Sequence, residues 1–330
     1  MKCLANWARN APLLAGLVVT LAFNAPAYSA TYPTRPVMLV VAFTPGGPSD
    51  VLARIVGRKM EELLGQPIII ENRPGAGGNI AADSVAHAVG DGYTLLMGNN
   101  SILATNESLY KKLTYSPQKD FVSITLIGTQ ANILVVNPNV PAHSLQELIA
   151  LAKAQPGKLN FASSGYGAAA HLAGELFKAE AKVDILHVPY KGAAPALQDV
   201  IGGRDQMMFA TAASVVGHIK GGKLRALAVT TLKRTAVLPD LPTMDEAGLK
   251  GFEASTWHGL VAPAGTPPEV IKTLHDAAIK ALADPGVQAS LGRLGVDIVG
   301  DTPDEFKAYI AAEIPKWAAI VKASGATMYQ

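Results

Sequence analysis

Two short turns carry the residue types from which an anion site can be built. Pro45-Gly46-Gly47-Pro48-Ser49-Asp50 follows an apolar run from Val37 to Phe43. It precedes apolar residues at Leu52, Ile55, Val56, Met60 and Leu63, a helical spacing. A glycine turn feeding a helix gathers backbone N–H groups without side-chain bulk over them, and the helix dipole adds partial positive charge at the same place. The chemistry on offer is capture of a carboxylate. The same residues also have a plainer reading, with Ser49 as an N-cap and Asp50 as a first-turn acid that favours the dipole. Ser163-Ser164-Gly165-Tyr166-Gly167-Ala168, between the strand-like Leu159 to Ala162 and a helix beginning near Ala169, offers the same two readings.

Around these turns the sequence places further candidates. Asn99, Asn100 and Ser101, after an apolar strand from Tyr93 to Met97, supply donors and acceptors without charge. Pro189-Tyr190-Lys191-Gly192 supplies an aromatic face and one cation, although a lysine in such a place is more often solvated surface. Phe43, Tyr190 and Trp257 are the expected apolar contacts to a bound molecule.

Catalytic sets are incomplete. The seven histidines show no metal-ligand spacing, and the single cysteine is Cys3, so neither a metal nor a thiolate nucleophile is expected. Ser108-Leu-Tyr-Lys111 and Ser116-Pro-Gln-Lys119 spell a serine-lysine motif without its companion motifs. Gly165 to Ala170 matches a dinucleotide pattern, but Asp184 precedes its strand where a ribose-binding acid would end it. Gly217 to Lys223 has phosphate-loop spacing, but Leu224 stands where a hydroxyl residue would hold magnesium. No cofactor is expected.

The elements that must position the turns follow from the alternation of apolar runs with helical patterns, which predicts an α/β fold with mostly parallel sheets flanked by helices. In such sheets ligands bind at the carboxyl ends of the strands. A chain of 330 residues, 49% hydrophobic, calls for two cores, yet no Pro/Gly/Ser-rich linker divides it into consecutive halves. An interleaved arrangement fits: residues 31–130 and 256–330 forming lobe 1, residues 131–255 forming lobe 2, with crossings near Thr129 to Leu134 and Ala254 to Leu260. Ser144-Leu-Gln-Glu147, Thr266-Pro-Pro-Glu269 and Thr302-Pro-Asp-Glu305 read as capped helix starts. Lys2 and Arg9, the apolar run Ala11 to Phe23 and the small-residue stretch Ala25 to Ala30 predict a cleaved secretory signal peptide over residues 1–30, too short to span a membrane. Its removal leaves 26 basic and 26 acidic residues, a balance that gives no field for nucleic acid.

Several stretches, in this order, resemble the substrate-binding receptors of tripartite tricarboxylate transporters, the Bug family. They are Tyr32-Pro-Thr-Arg-Pro36, Pro45 to Asp50 with Arg54, Glu71-Asn-Arg-Pro-Gly-Ala-Gly-Gly78, Asp91-Gly-Tyr-Thr-Leu95, Ser164-Gly-Tyr-Gly167 with His171-Leu172, Val188-Pro-Tyr-Lys-Gly192 and Ala262-Pro-Ala-Gly-Thr-Pro267. The resemblance implies a two-lobed periplasmic-binding-protein fold of the second type, a carboxylate between the lobes, a separate integral-membrane permease as partner, a periplasmic location and a monomeric receptor that is not an enzyme. It implies that Gly46 to Asp50 and Ser164 to Ala168 pin a ligand carboxylate. Two departures stand out. Ala168 replaces a hydroxyl residue usual in the family, and Ala210-Thr211 replaces an Asp-Asn type of pair, which puts Thr211 among the candidates. With few cations near the turns, a mono- or dicarboxylate is expected over a tricarboxylate. Delivery of the ligand to a periplasmic sensor domain is the alternative role.

Overall fold

The computed structural model describes residues 32–190 and 192–324. The signal-peptide reading, Cys3 and Lys191 lie outside the described residues. Eleven β-strands and ten α-helices alternate along the described chain. The first β-α unit is β1 (Val37–Val41) and α1 (Pro48–Leu64), followed by β2 (Ile68–Asn72), α2 (Asn79–Ala86), β3 (Thr94–Asn99), a π-helical turn over Ser101–Thr105, α3 (Asn106–Leu109) and β4 (Phe121–Gln130). The middle of the chain forms β5 (Asn132–Val136), α4 (Leu145–Ala154), β6 (Asn160–Ser163), α5 (Ala169–Ala181), β7 (Leu186–Pro189), α6 (Ala193–Ile201), β8 (Met207–Thr211), α7 (Ala212–Lys220) and β9 (Arg225–Val229). The end forms β10 (Thr256–Pro263), α8 (Pro268–Ala283), α9 (Pro285–Arg293), β11 (Val296–Ile298) and α10 (Pro303–Ser324).

The strands form two mixed sheets, ordered β11-β4-β10-β3-β1-β2 and β7-β6-β8-β5-β9. In the first, β1 pairs in parallel with β2 and β3, while β10 runs antiparallel to β3 and β4. This explains the unbroken apolar run Val37 to Val41: a central strand covered on both faces has no solvent side to make polar. In the second, β6 is parallel to β7 and β8, and β5 is antiparallel to β8 and β9. The chain leaves the first sheet at Gln130, enters the second at Asn132, and returns between Val229 and Thr256.

A buried polar knot ties these two crossings together. Asn132 Nδ2 donates to Ala254 O at 3.0 Å and to Thr256 Oγ1 at 3.2 Å, and Thr230 Oγ1 donates to Ala254 O at 2.8 Å. The two sheets also share a core. A continuous apolar cluster runs from Val40 and Leu96 through Trp257, Phe306 and Trp317 to Phe161, Phe177 and Phe209, because α10 packs both on β4 and on α5.

The helix starts differ in one case from the sequence reading. Glu147 N–H donates to Ser144 Oγ, and Thr302 and Glu305 exchange backbone-to-side-chain bonds as a capping box does. Thr266 does not cap α8: Pro267 is the N-cap residue, and the Thr266 hydroxyl donates instead to Pro263 O at 2.8 Å. Among the described residues no helix is long and apolar enough to cross a membrane.

Candidate functional site

Between the two sheets lies a cavity of about 540 Å³ whose wall is built by turns at the carboxyl ends of the strands. Five α-helices start on it. The N-cap residues of α1, α2, α5, α6 and α7 are Gly47, Gly78, Ala168, Gly192 and Thr211; all five line the cavity, and none of these helix starts carries a side-chain cap. An uncapped helix start leaves first-turn N–H groups unbound to side chains. Glycine or alanine stands at four of these N-caps, and at the fifth the Thr211 hydroxyl donates to Ser214 Oγ and does not cap. Among the described wall residues there is no Asp, Glu, Lys or Arg.

The first turn divides between wall and support. Phe43, Gly47, Pro48 and Ser49 are on the wall; Gly46 and Asp50 are not. Asp50 is buried and points back into the turn, where it accepts from Gly46 N at 2.8 Å, Arg54 Nε at 3.0 Å and Asn72 Nδ2 at 3.0 Å. Burial pushes its pKa up, but these donors outweigh burial and hold it below the usual carboxylate range. Asn72 also donates to Phe43 O, so one cluster fixes both ends of the turn. Nor does Ser49 act as an N-cap. Its Oγ lies 2.9 Å from His258 Nε2, and burial depresses the His258 pKa to about 4, which keeps the imidazole neutral near pH 7. Asn99, Asn100 and Ser101 are all on the wall; Asn100 is fully buried, with neither amide atom partnered.

Ser164, Gly165 and Ala168 of the second turn line the cavity, whereas Ser163 and Gly167 do not. Ser163 is fully buried and braces the turn from below, its Oγ donating to Gly165 O at 3.1 Å and lying 2.7 Å from His187 Nε2. Gly167 N–H donates to His171 Nδ1 at 3.1 Å, and the His171 and His187 rings stack 4.1 Å apart. Burial first, then neighbouring positive charge, lowers His171 to about 4 and His187 to about 3. Gly167 meets the other lobe: its carbonyl accepts from Ser101 Oγ at 3.0 Å, and with φ of +76° a Cβ there would come 2.5 Å from Leu109.

Two of the expected aromatic contacts face elsewhere. Trp257 is fully buried against α10, its Nε1 donating to Glu313 Oε2 at 2.8 Å. Side chains alternate along a strand, so Thr256 and His258 reach the cavity and Trp257, between them, cannot. The Tyr190 hydroxyl lies 2.7 Å from Asp199 Oδ2 and 2.6 Å from Asp205 Oδ2, off the cavity wall. Thr211 is on the wall, half-buried beside Ser214.

Sequence reasoning missed a third glycine turn. Pro74 to Gly78, between β2 and α2, lines the cavity, with Gly77 at φ +64° where a Cβ would come 2.5 Å from the Tyr110 hydroxyl. The strand-turn-helix rule that found the first two turns applies equally to this one. His258, Thr256 and Asn132 carried no local signal, because they reach the wall only through strand pairing and the crossing between sheets. Among the described residues no group of three or more His, Cys, Asp or Glu side chains is placed to hold a metal.

A two-lobed α/β fold with a cleft cavity ringed by helix N-termini is that of a periplasmic binding protein. The family model of the tripartite tricarboxylate transporter family receptor matches residues 52–326, and the chain belongs to this family. It is similar to protein BugT of Bordetella pertussis, 38% identical over 98% of this chain and 99% of the relative. Among solved structures, an R. palustris protein with adipate is 38% identical at a TM-score of 0.84, covering 89% of this chain and 98% of that one. MatC from Rhodopseudomonas palustris, with bound malate, is 35% identical at 0.82, covering 88% and 100%.

Proposed function

We propose that this chain is a periplasmic receptor that captures a small mono- or dicarboxylate between lobe 1 (31–130 and 256–330) and lobe 2 (131–255) and delivers it, as a monomer, to the integral-membrane permease of a tripartite transporter. One observation carries the reading: uncapped helix starts from both sheets, Gly47 on one and Ala168, Gly192 and Thr211 on the other, share a single cavity. A hydrogen bond to a charged group contributes roughly 1.5–3 kcal/mol net and a helix dipole about 0.3–1. Three or four such contacts supply around 5–12 kcal/mol, of which association consumes part, and apolar contact with Phe43, Met208 and Phe209 adds to the remainder towards the about −8 kcal/mol of micromolar binding. The adipate and malate in the two relatives are dicarboxylates of suitable size.

Ser49, Phe43, Gly47, Asn99, Asn100, Ser101, Ser164, Gly165, Ala168 and Thr211 are the residues assigned to ligand contact, with Pro48 shaping the first turn. Gly46, Asp50, Ser163 and Gly167 support the two turns, and Tyr190 and Trp257 brace the lobes. The Ser49–His258 pair has the contact a nucleophile and base require, but His258 Nδ1 has no hydrogen-bond partner to orient it, which favours binding over hydrolysis. Mass spectrometry of small molecules carried through native purification, followed by calorimetry on refolded ligand-free protein, tests the proposal. A carboxylate with micromolar or tighter affinity is expected; citrate bound far above every smaller acid, or turnover of an ester, overturns it.

A further inference from the structure

We infer that His258 is a positioning residue for ligand capture: it gives its Nε2 hydrogen to Ser49 Oγ and so turns the Ser49 hydroxyl hydrogen into the cavity, towards a carboxylate oxygen. The inference rests on the receptor reading above and adds to it the residue that sets the direction of one bond. His258 stands on β10 opposite Asn99 of β3 and is buried, with Nε2 2.9 Å from Ser49 Oγ. Ser49 is on the cavity wall at the start of α1, and among the described residues no other side chain or backbone group bonds its hydroxyl. Burial holds the His258 pKa down to about 4, so at neutral pH the ring carries one hydrogen, on one nitrogen or the other.

Where that hydrogen sits decides what Ser49 can offer. Were it on Nδ1, the bare Nε2 would take the serine hydrogen, and Oγ would present only lone pairs to the cavity, which repel a carboxylate. The Nδ1 hydrogen would also stand buried without an acceptor, since no described residue bonds that atom. Buried N–H groups are left without a partner more rarely than acceptors are. With the hydrogen on Nε2, the bond to Ser49 is made from the histidine side, Nδ1 keeps only a lone pair, and the hydroxyl hydrogen is free to donate. A hydroxyl oxygen accepts and donates at once, so the pair sets a direction without transferring a proton. The same arrangement denies His258 the bare Nε2 that a general base needs to activate a serine. Asp50, next in the chain, does not compete for the hydroxyl, because Gly46, Arg54 and Asn72 hold its carboxylate.

Two measurements on refolded ligand-free protein test it. The first is nitrogen NMR of the isotope-labelled histidines at neutral pH, with the His258 ring signals assigned through the residue's own backbone. A hydrogen on Nε2 and a bare Nδ1 are expected; the reverse overturns the inference whether or not any acid binds. The second is calorimetry with malate and adipate. Ser49→Ala should weaken binding about 10- to 100-fold, the range of a lost bond to a charged group. His258→Phe keeps an aromatic ring without the N–H and should cost about 2- to 12-fold, while His258→Gln, which can put an amide N–H in the same place, should return to within about threefold of the parent. In a Ser49→Ala background the two histidine variants should differ by less than about twofold, because the histidine then has no hydroxyl to direct. A difference as large there as in the parent makes His258 a packing residue and overturns the inference. Silence of the parent towards both acids counts against the receptor reading, and the NMR result still decides the direction of the hydroxyl.

Discussion

Two residues show how differently a side chain can serve one turn. Ser49 faces the cavity, while Asp50 turns inward and gathers donors from three elements. Replacing Asp50 with Asn keeps the shape and removes the charge from those bonds. Loss of about 1–3 kcal/mol of stability is expected, read from chemical denaturation, together with weaker ligand binding. Trp257→Ala should separate the two effects. It empties a fully buried site, costing roughly 3–5 kcal/mol, yet the folded fraction should bind its ligand within about threefold of the parent, since the ring never reaches the cavity. The buried histidines add a pH dependence with a defined sign. His171, His187 and His258 have folded pKa values of about 4, 3 and 4, below the ordinary value near 6.5, so the unfolded chain takes up protons first. Their stabilising contribution is complete above about pH 6.5 and is lost as pH falls towards 4 for His171 and His258 and towards 3 for His187; Tm measured across that window should drop accordingly.

At the scale of elements, the candidate site is a product of helix starts that the sequence leaves uncapped. The contrast with α10 is instructive, because Thr302 and Glu305 cap that helix, away from the cavity, and Thr302→Ala should cost about 1 kcal/mol without touching affinity. Strands set the rest of the wall by parity. Thr256 and His258 of β10 reach the cleft, and the pairing of β10 with β3 and β4 brings His258 to the start of α1, where Ser49 meets it. The glycine turns were legible in the sequence because turn chemistry is local. The side of the sheet on which Trp257 would stand was not, since one residue of register reverses it.

At the scale of the molecule, the two lobes meet through their shared core and also through a polar contact in which Ser101 of one donates to Gly167 of the other. A single neutral hydrogen bond contributes about 0.5–1.5 kcal/mol net, so Ser101→Ala should weaken ligand binding about 2- to 12-fold, and small-angle scattering should show less complete compaction on ligand addition. The knot of Asn132, Thr230 and Thr256 lies where the chain crosses between sheets and ties the two crossings together. Asn132→Ala would take one buried donor each from Thr256 Oγ1 and Ala254 O, leaving Ala254 O with Thr230 alone.

Composition and local pattern alone determined the α/β class, the alternation of strand, turn and helix, and the two glycine turns proposed as carboxylate seats, because each depends on residues within about a dozen positions of one another. Only the tertiary structure decided which atoms of those turns face the cavity, that a third turn at Pro74 to Gly78 joins them, and that His258 and Asn132 belong to the wall. Those outcomes depend on strand register and on contacts between residues far apart in the chain, as when position 258 meets position 49. No local propensity encodes such a meeting, because it is the pairing of β10 with β3 and β4 within the first sheet that selects it.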